Sequence, residues 1–307
     1  ALIAISFYGG FAVRWDHVKS SAKESFLLST LGVAITAFAV AIFAHFLLKV
    51  DFQQALLLGA IVSATDAAGI FSILRSRKLS LKYDTTKIIQ LESGANDTMS
   101  KSLAFGLIAL IGGTSTNLPL EVLTLILVGL GMGFLLSFIF TRVISLLAIR
   151  SSSIFSIFLI SALYFTYATT DLLGGNGFLS VYILGLFLGN AKFPEKRDQV
   201  HFFEGFTLLA QVAFFFILGV YAEPRLLLSN LPIALLIVLF LTFIARPLSV
   251  YPILSAFKKP RNQKWFISFA GFRGSTAIIL ALKSAHLALD FPLLQITFGV
   301  VILSFLS

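Results

Sequence analysis

Cysteine is absent from the 307 residues, and methionine and tryptophan occur twice each. Neither a disulfide framework nor a thiolate metal site is therefore open to this chain. Charge is the next scarcity: Asp, Glu, Lys and Arg make up 12% of the sequence, against about 25% in a soluble domain. Water cannot be the main solvent of such a chain. No GxxxxGK[ST] phosphate loop is present, which argues against an ATP-driven pump. The four histidines, His17, His45, His201 and His286, show no metal-ligand spacing with one another or with carboxylates. No transition metal and no cofactor are expected. The apolar start has no basic region before it, so no cleavable signal peptide is expected, and the sequence reads as beginning inside a longer protein.

What the chain does have is apolar length. Hydrophobic residues make up 58%, with 33 Phe among them, and the mean hydropathy is +0.96. Long apolar runs recur from end to end, and about 20 apolar residues span a bilayer as a helix. Because helices and closed barrels alone satisfy every backbone group in lipid, the fold class is an all-α polytopic membrane protein. A barrel would instead show alternating segments of about ten residues. Eleven segments are expected, at 1–13, 25–48, 53–74, 86–113, 119–149, 152–170, 176–191, 202–221, 229–256, 265–286 and 292–307. The first and last look truncated.

Loop charge supports the count. The net charge of +9 would suggest nucleic acid, but these cations sit in short loops. Basic residues collect after segment one (Arg14, Lys19, Lys23), three (Arg75, Arg77, Lys78, Lys82), five (Arg150), seven (Lys192, Lys196, Arg197) and nine (Lys258, Lys259, Arg261, Lys264). The other loops carry almost none, Lys49 and Arg225 excepted. This alternation is the positive-inside pattern, and it places the ends of odd-numbered segments in the cytoplasm.

A weak internal echo links segments three and ten. Gly59, Ser63, Thr65 and Gly69 surround an acid in the first, while Gly271, Gly274, Ser275 and Thr276 follow or flank a base in the second. Lying an odd number of segments apart, the two run in opposite directions. Polar, Gly-rich interruptions at matching places of two inverted halves point to broken helices that cradle an ion at mid-depth. Gly and Ser also serve close helix packing in any bundle.

Among the ionisable residues of the expected spans, seven stand out: Asp66, Glu92, Asp97, Lys101, Arg246, Arg273 and Lys283. A charge at the bilayer centre costs at least about 2.5 to 3.5 kcal/mol, so each needs a reason. Structural ion pairs are the plain reading, and Glu92 is the leading partner for Arg246, which stays charged at any relevant pH. Arg273 either neutralises the interruption of segment ten or reaches backbone carbonyls there, and Lys283 can snorkel to the interface. Glu92 and Ser93 precede Asn96 and Asp97 by four residues, so each pair stacks on one helix face. With Ser63, Thr65 and Asp66 from segment three, they form an oxygen-rich cluster of the kind a hard monovalent cation needs. A buried carboxylate can hold a proton or a cation but hardly both. Competition at Asp97, with Asp66 shaping the site and alternating access from the two sides, is sufficient for cation/proton exchange.

Four stretches carry a family resemblance: Gly59-Ala60-Ile61-Val62-Ser63-Ala64-Thr65-Asp66-Ala67-Ala68, Glu92-Ser93-Gly94-Ala95-Asn96-Asp97, Gly174-Gly175-Asn176-Gly177-Phe178-Leu179 with Gly189-Asn190, and Gly271-Phe272-Arg273-Gly274. In that order the chain resembles the cation/proton antiporters of the CPA1 type, nearest the bacterial potassium/proton antiporters among them. The resemblance implies an inverted-repeat fold of thirteen helices with two crossed unwound helices, in a usually homodimeric inner-membrane exchanger. The eleven segments would then be helices three to thirteen of a single exchanger domain over 1–307, without the first two helices and without a cytoplasmic tail. It implies that Thr65 and Asp66 lie at the crossing, that Ser93, Asn96 and Asp97 belong to the ion site, and that Glu92 pairs with Arg246. Arg273, Gly274 and Ser275 would lie in the second unwound helix. The Asn-Asp form goes, within that family, with electroneutral one-for-one exchange. The expected function is exchange of potassium or sodium for protons, with lipids and a second copy as partners and neither nucleic acid nor ATP.

Three positions depart from the family pattern. Tyr8-Gly9-Gly10 stands where many relatives carry an acid before two glycines, and Thr98 replaces the common Pro. Lys101, one turn past Asp97, can reach it on the same face and compete with a transported cation. Two other classes use buried acids: an intramembrane aspartyl protease, which expects Tyr-Asp and Gly-x-Gly-Asp motifs where this chain has Ala-Thr-Asp and Ala-Asn-Asp, and a passive cation channel, which needs no proton coupling.

Overall fold

A computed structural model describes residues 2–66, 74, 81–147, 152–191, 193, 196–221 and 223–305. These are helical almost throughout. In chain order the helices are α1 (Leu2–Phe11), α2 (Trp15–Leu48), α3 (Phe52–Ser63), α4 (Thr85–Ile111), α5 (Leu118–Leu147), α6 (Ser152–Leu172), α7 (Gly177–Asn190), α8 (Lys196–Tyr221), α9 (Pro224–Ala256), α10 (Arg261–Phe269), α11 (Ser275–Lys283) and α12 (Leu293–Ser304). Among the described residues, α2, α5 and α9 and most of α6 and α8 are long and apolar enough to cross a membrane. The others are shorter, or, like the 27-residue α4, carry polar residues through their middle.

The helices coincide with the expected segments, with three informative differences. Helices α2 and α8 start upstream of their apolar runs, in the charged stretches Trp15–Lys23 and Lys196–His201, because a helix can continue past the lipid where its charges are exposed. Segment ten is two helices, α10 and α11, separated by the extended residues 270–274. Segment three stops being helical at Ser63, and Ala64 turns to φ −59, ψ 141. Residues 67–73 of that segment, Gly69 among them, lie outside the described residues, as do Arg75, Arg77 and Lys78.

The chain divides into two compact units. One holds residues 1–19 and 119–217, with α1, α5, α6, α7 and most of α8. Its core is Phe7 and Phe11 of α1, Phe155, Leu159 and Leu163 of α6, Val181, Leu184 and Leu188 of α7, and Phe203 of α8. Helices in lipid associate through packing and hydrogen bonds rather than escape from water, so small residues decide where backbones meet. Gly10, Gly185 and Gly189 do so here: a Cβ on Gly10 would strike the Tyr182 carbonyl oxygen, and on Gly185 or Gly189 that of Phe7 or Phe11. Asn176 caps α7, its side chain accepting from the Phe178 and Leu179 amides at 3.0 and 3.3 Å. At the other end Asn190 accepts from the Trp15 amide and donates to the Val13 carbonyl, at 2.8 and 2.9 Å. The Gly-Gly-Asn-Gly and Gly-Asn motifs thus build one end-capped, closely packed helix pair.

The second unit holds residues 20–118 and 218–307, with most of α2, all of α3 and α4, and α9 to α12. Gly59 lies inside helical α3, where a Cβ would strike the Ala37 carbonyl of α2. It is a packing glycine, and the helix ends four residues later without help from glycine or proline. An inverted repeat is visible in paired irregularities. Helix α2, before the first interruption, contains a π-helical turn at Leu28–Gly32; α9, before the second, contains one at Leu241–Ala245. In α9 the cause is legible: Pro247 has no N–H to give, and the Arg246 amide reaches back five residues to the Leu241 carbonyl. The two helices are joined where the Thr36 hydroxyl meets Ser249 at 3.0 Å.

Candidate functional site

The two interruptions meet inside this second unit. The Asp66 amide donates to the Phe272 carbonyl at 2.8 Å, so the extended chain after α3 touches the extended chain before α11. Each interruption exposes a helix end, and each end faces an opposite charge. Helix α3 ends with free carbonyls, and Arg273 Nη1 donates to those of Ser63 and Ala64 at 2.8 and 2.6 Å. Helix α11 begins at Gly274–Ser275, and a Cβ built on Gly274 would lie 2.8 Å from Asp66 Oδ2. A cation at a helix C-terminus and an anion at an N-terminus both match the helix dipole. Gly274 has no side chain because the Asp66 carboxylate takes that space. Arg273 is wholly buried, and its amide donates to Ser304 of α12 at 3.1 Å. The carbonyls it reaches belong to segment three rather than to its own segment.

Helix α4 lays its polar face on the first interruption. Asn96 Nδ2 donates to Thr65 Oγ1 at 2.5 Å, and the Thr65 amide donates to Asn96 Oδ1 at 3.3 Å. Ser93 donates to the Thr65 carbonyl at 2.8 Å, and two turns on Ser100 donates to the Ala60 carbonyl at 2.7 Å. Thr65 is thus held by Ser93 and Asn96, which fixes the chain where it leaves the helix. The i,i+4 spacing brings Glu92 Oε1 to 3.4 Å from Asn96 Nδ2. Glu92 in turn receives Arg246 Nη1 at 2.8 Å, both side chains 3% exposed. Nη2 of the same arginine donates to the Ile267 carbonyl of α10 at 3.3 Å. Arg246 therefore ties α9 to α4 and α10, with Gly271 against its Nε.

Asp97 has a different environment. Its carboxylate is 17% exposed and accepts from Lys101 Nζ at 2.6 Å, while the lysine side chain is wholly buried. Asp66 is also partly exposed. Asp66, Glu92, Asp97, Lys101, Arg246 and Arg273 are three acids and three bases, so the crossing is neutral when all are ionised. Lys283 stays outside the cluster, exposed on the end of α11, with its ammonium 4.8 Å from the centre of the Phe105 ring. His45 Nδ1 donates to the Val50 carbonyl, 2.7 Å away, beside the left-handed Lys49 that ends α2.

Of the residues singled out in the sequence, the structure brings together Thr65, Asp66, Glu92, Ser93, Asn96, Asp97, Lys101, Arg246, Arg273, Gly274 and the start of α11 at Ser275. Three contributors went unremarked. Ser100 sits one turn past Asn96 on the same face, a spacing that could have pointed to it. Ser304 is a lone hydroxyl in an apolar run. Phe272 contributes a carbonyl, for which no side-chain signal exists.

The arrangement has recognisable relatives. The transmembrane sodium/hydrogen exchanger family profile matches residues 1–307. The chain is 36% identical over 290 residues to the K(+)/H(+) antiporter NhaP of Alkalimonas amylolytica, covering 92% of this chain and 50% of that protein. It is 34% identical over 291 residues to the K(+)/H(+) antiporter NhaP2 of Shewanella sp. strain MR-4, with the same coverage. The chain spans about half the length of these curated relatives. The solved structure of the sodium proton antiporter MjNhaP1 from Methanocaldococcus jannaschii at pH 8 superposes with a TM-score of 0.89, at 25% identity over 99% of this chain and 80% of that one. The family match over residues 1–307, with relatives 34 to 36% identical over 92% of it, places this chain in the sodium/hydrogen exchanger transmembrane family.

Proposed function

We propose that the protein of which this chain is part is a transporter, not an enzyme, that exchanges potassium, sodium or both for protons across the inner cell membrane. One observation carries the reading: a partly exposed carboxylate, Asp97, lies on a buried polar helix face beside two interrupted chains. Ser93 and Asn96 lie within about one turn of it on α4 and bond to Thr65, and the charges of Glu92 and Arg246 are committed to each other. In this reading Asp97 is the shared carrier of proton and cation. Asp66, Thr65, Asn96 and Ser93 shape the cation's surroundings, while Arg273, Gly274 and Ser275 hold the second interruption in place. Asp66 at the start of α11 and Arg273 at the end of α3 keep both interruptions charge-matched at mid-depth, the arrangement that secondary transporters use for ion sites. Competition of one proton with one monovalent cation, with the site opening to either side in turn, gives electroneutral exchange. Membrane lipids surround the protein, and a second copy completes a homodimer.

The test is the full-length protein in liposomes loaded with a pH-sensitive dye. Addition of potassium or sodium should drive proton movement in the wild type, and Asp97→Asn should abolish it. Exchange at the wild-type rate by Asp97→Asn would end this reading.

A further inference from the structure

The Asp97–Lys101 pair differs from the other charged contacts of the crossing. Arg246 and Glu92 join two helices, and Arg273 joins the two interruptions. Asp97 and Lys101 lie on one helix, four residues apart, so their bond fastens one turn of α4 to itself. Taking an ammonium out of water costs several kcal/mol, and the lysine at this position is wholly buried. What the ammonium does achieve is occupancy: a compact monovalent cation sits 2.6 Å from Asp97 Oδ2, against the carboxylate that a transported ion would need.

We propose that Lys101 is a tethered stand-in for the transported cation. Its ammonium holds Asp97 while the site is free of ions, and an incoming ion has to take its place. Residue 101 therefore sets how much cation half-saturates the site. It also biases the choice of ion, because an ammonium is close to potassium in size and coordination distance and larger than sodium. A carboxylate held at the distance of an ammonium suits potassium, rubidium or free ammonium better than the smaller sodium. This inference rests on the exchange reading above.

The experiment titrates potassium and sodium at one fixed pH on the full-length protein in liposomes, comparing wild type with Lys101→Met and Lys101→Arg. Losing the competitor should lower the half-saturating potassium in Lys101→Met by about 10- to 100-fold, the range for displacing one hydrogen bond to a charged group. The preference for potassium over sodium should narrow. Lys101→Arg keeps a tethered cation and should stay close to the wild-type value. Should Lys101→Met fail to give a monodisperse protein, Lys101→Gln is measured instead by equilibrium rubidium binding, with the same fall expected. An active wild type whose half-saturation and ion preference are unchanged by removal of the charge overturns the inference alone. A fall of the same size in Lys101→Arg also overturns it. A wild type that exchanges no cation overturns the exchange reading and takes this inference with it.

Discussion

Removing both members of the Glu92–Arg246 pair should cost clearly less than the sum of removing each one alone. The two side chains are each 3% exposed and 2.8 Å apart, so neither charge has water to fall back on. Glu92→Gln keeps the shape but leaves Arg246 as a buried cation with neutral acceptors, the new amide oxygen and the Ile267 carbonyl at 3.3 Å. Breaking a buried pair in this way costs about 3 to 5 kcal/mol, much of it the desolvation of the stranded charge. Arg246→Met strands Glu92, which retains only the long bond from Asn96 Nδ2 at 3.4 Å, and should cost a similar amount. In Glu92→Gln/Arg246→Met no charge is stranded, and the loss should be smaller than the sum of the two singles by about 2 kcal/mol or more. Unfolding in mixed micelles, followed by tryptophan fluorescence, gives the three values as a double-mutant cycle. If the double variant's loss equals the sum of the singles, the pair is not the unit described here, and the tie of α9 to α4 must rest on other contacts.

Two further predictions concern the first unit. Gly185→Ala directs a methyl group at the Phe7 carbonyl and the Phe11 amide, where neither backbone can give way without parting α1 from α7. Its cost should exceed the usual overpacking range of about 1 to 3 kcal/mol, while Gly131→Ala, with nothing within 4 Å, should be neutral or slightly stabilising in the same melt. Asn176→Ala removes the cap of α7, taking the side-chain acceptor from the Phe178 amide while that of Leu179 keeps the Asn176 carbonyl; a loss of about 1 to 2 kcal/mol is expected, with Asn176→Asp recovering most of it.

The spans were legible because membrane helices announce themselves twice, in apolar length and in the basic loops between them. The Glu92–Arg246 pair was legible because a permanently charged arginine in a span needs a carboxylate, and few are on offer. The crossing was only half legible. Glycines marked the interruption of segment ten correctly, since Gly274 yields its space to Asp66. In segment three Gly59 turned out to serve packing against α2, and the break fell among residues with no breaker character. The partners of Arg273 could not be read at all: they are backbone carbonyls 209 and 210 residues away, and every residue type has a carbonyl. The π-helical turn in α9 carried a signal in Pro247, whereas nothing comparable marks the one in α2.

The central claim is that one carboxylate, Asp97, carries proton and cation in turn. Its most direct measurement is uptake of radioactive rubidium by liposomes containing the full-length protein, driven by an outward proton release from an acid interior. The account predicts uptake that persists when the membrane potential is clamped to zero and that disappears in Asp97→Asn. Uptake that collapses with the clamp would contradict one-for-one exchange, and undiminished uptake by Asp97→Asn would contradict the role of this residue.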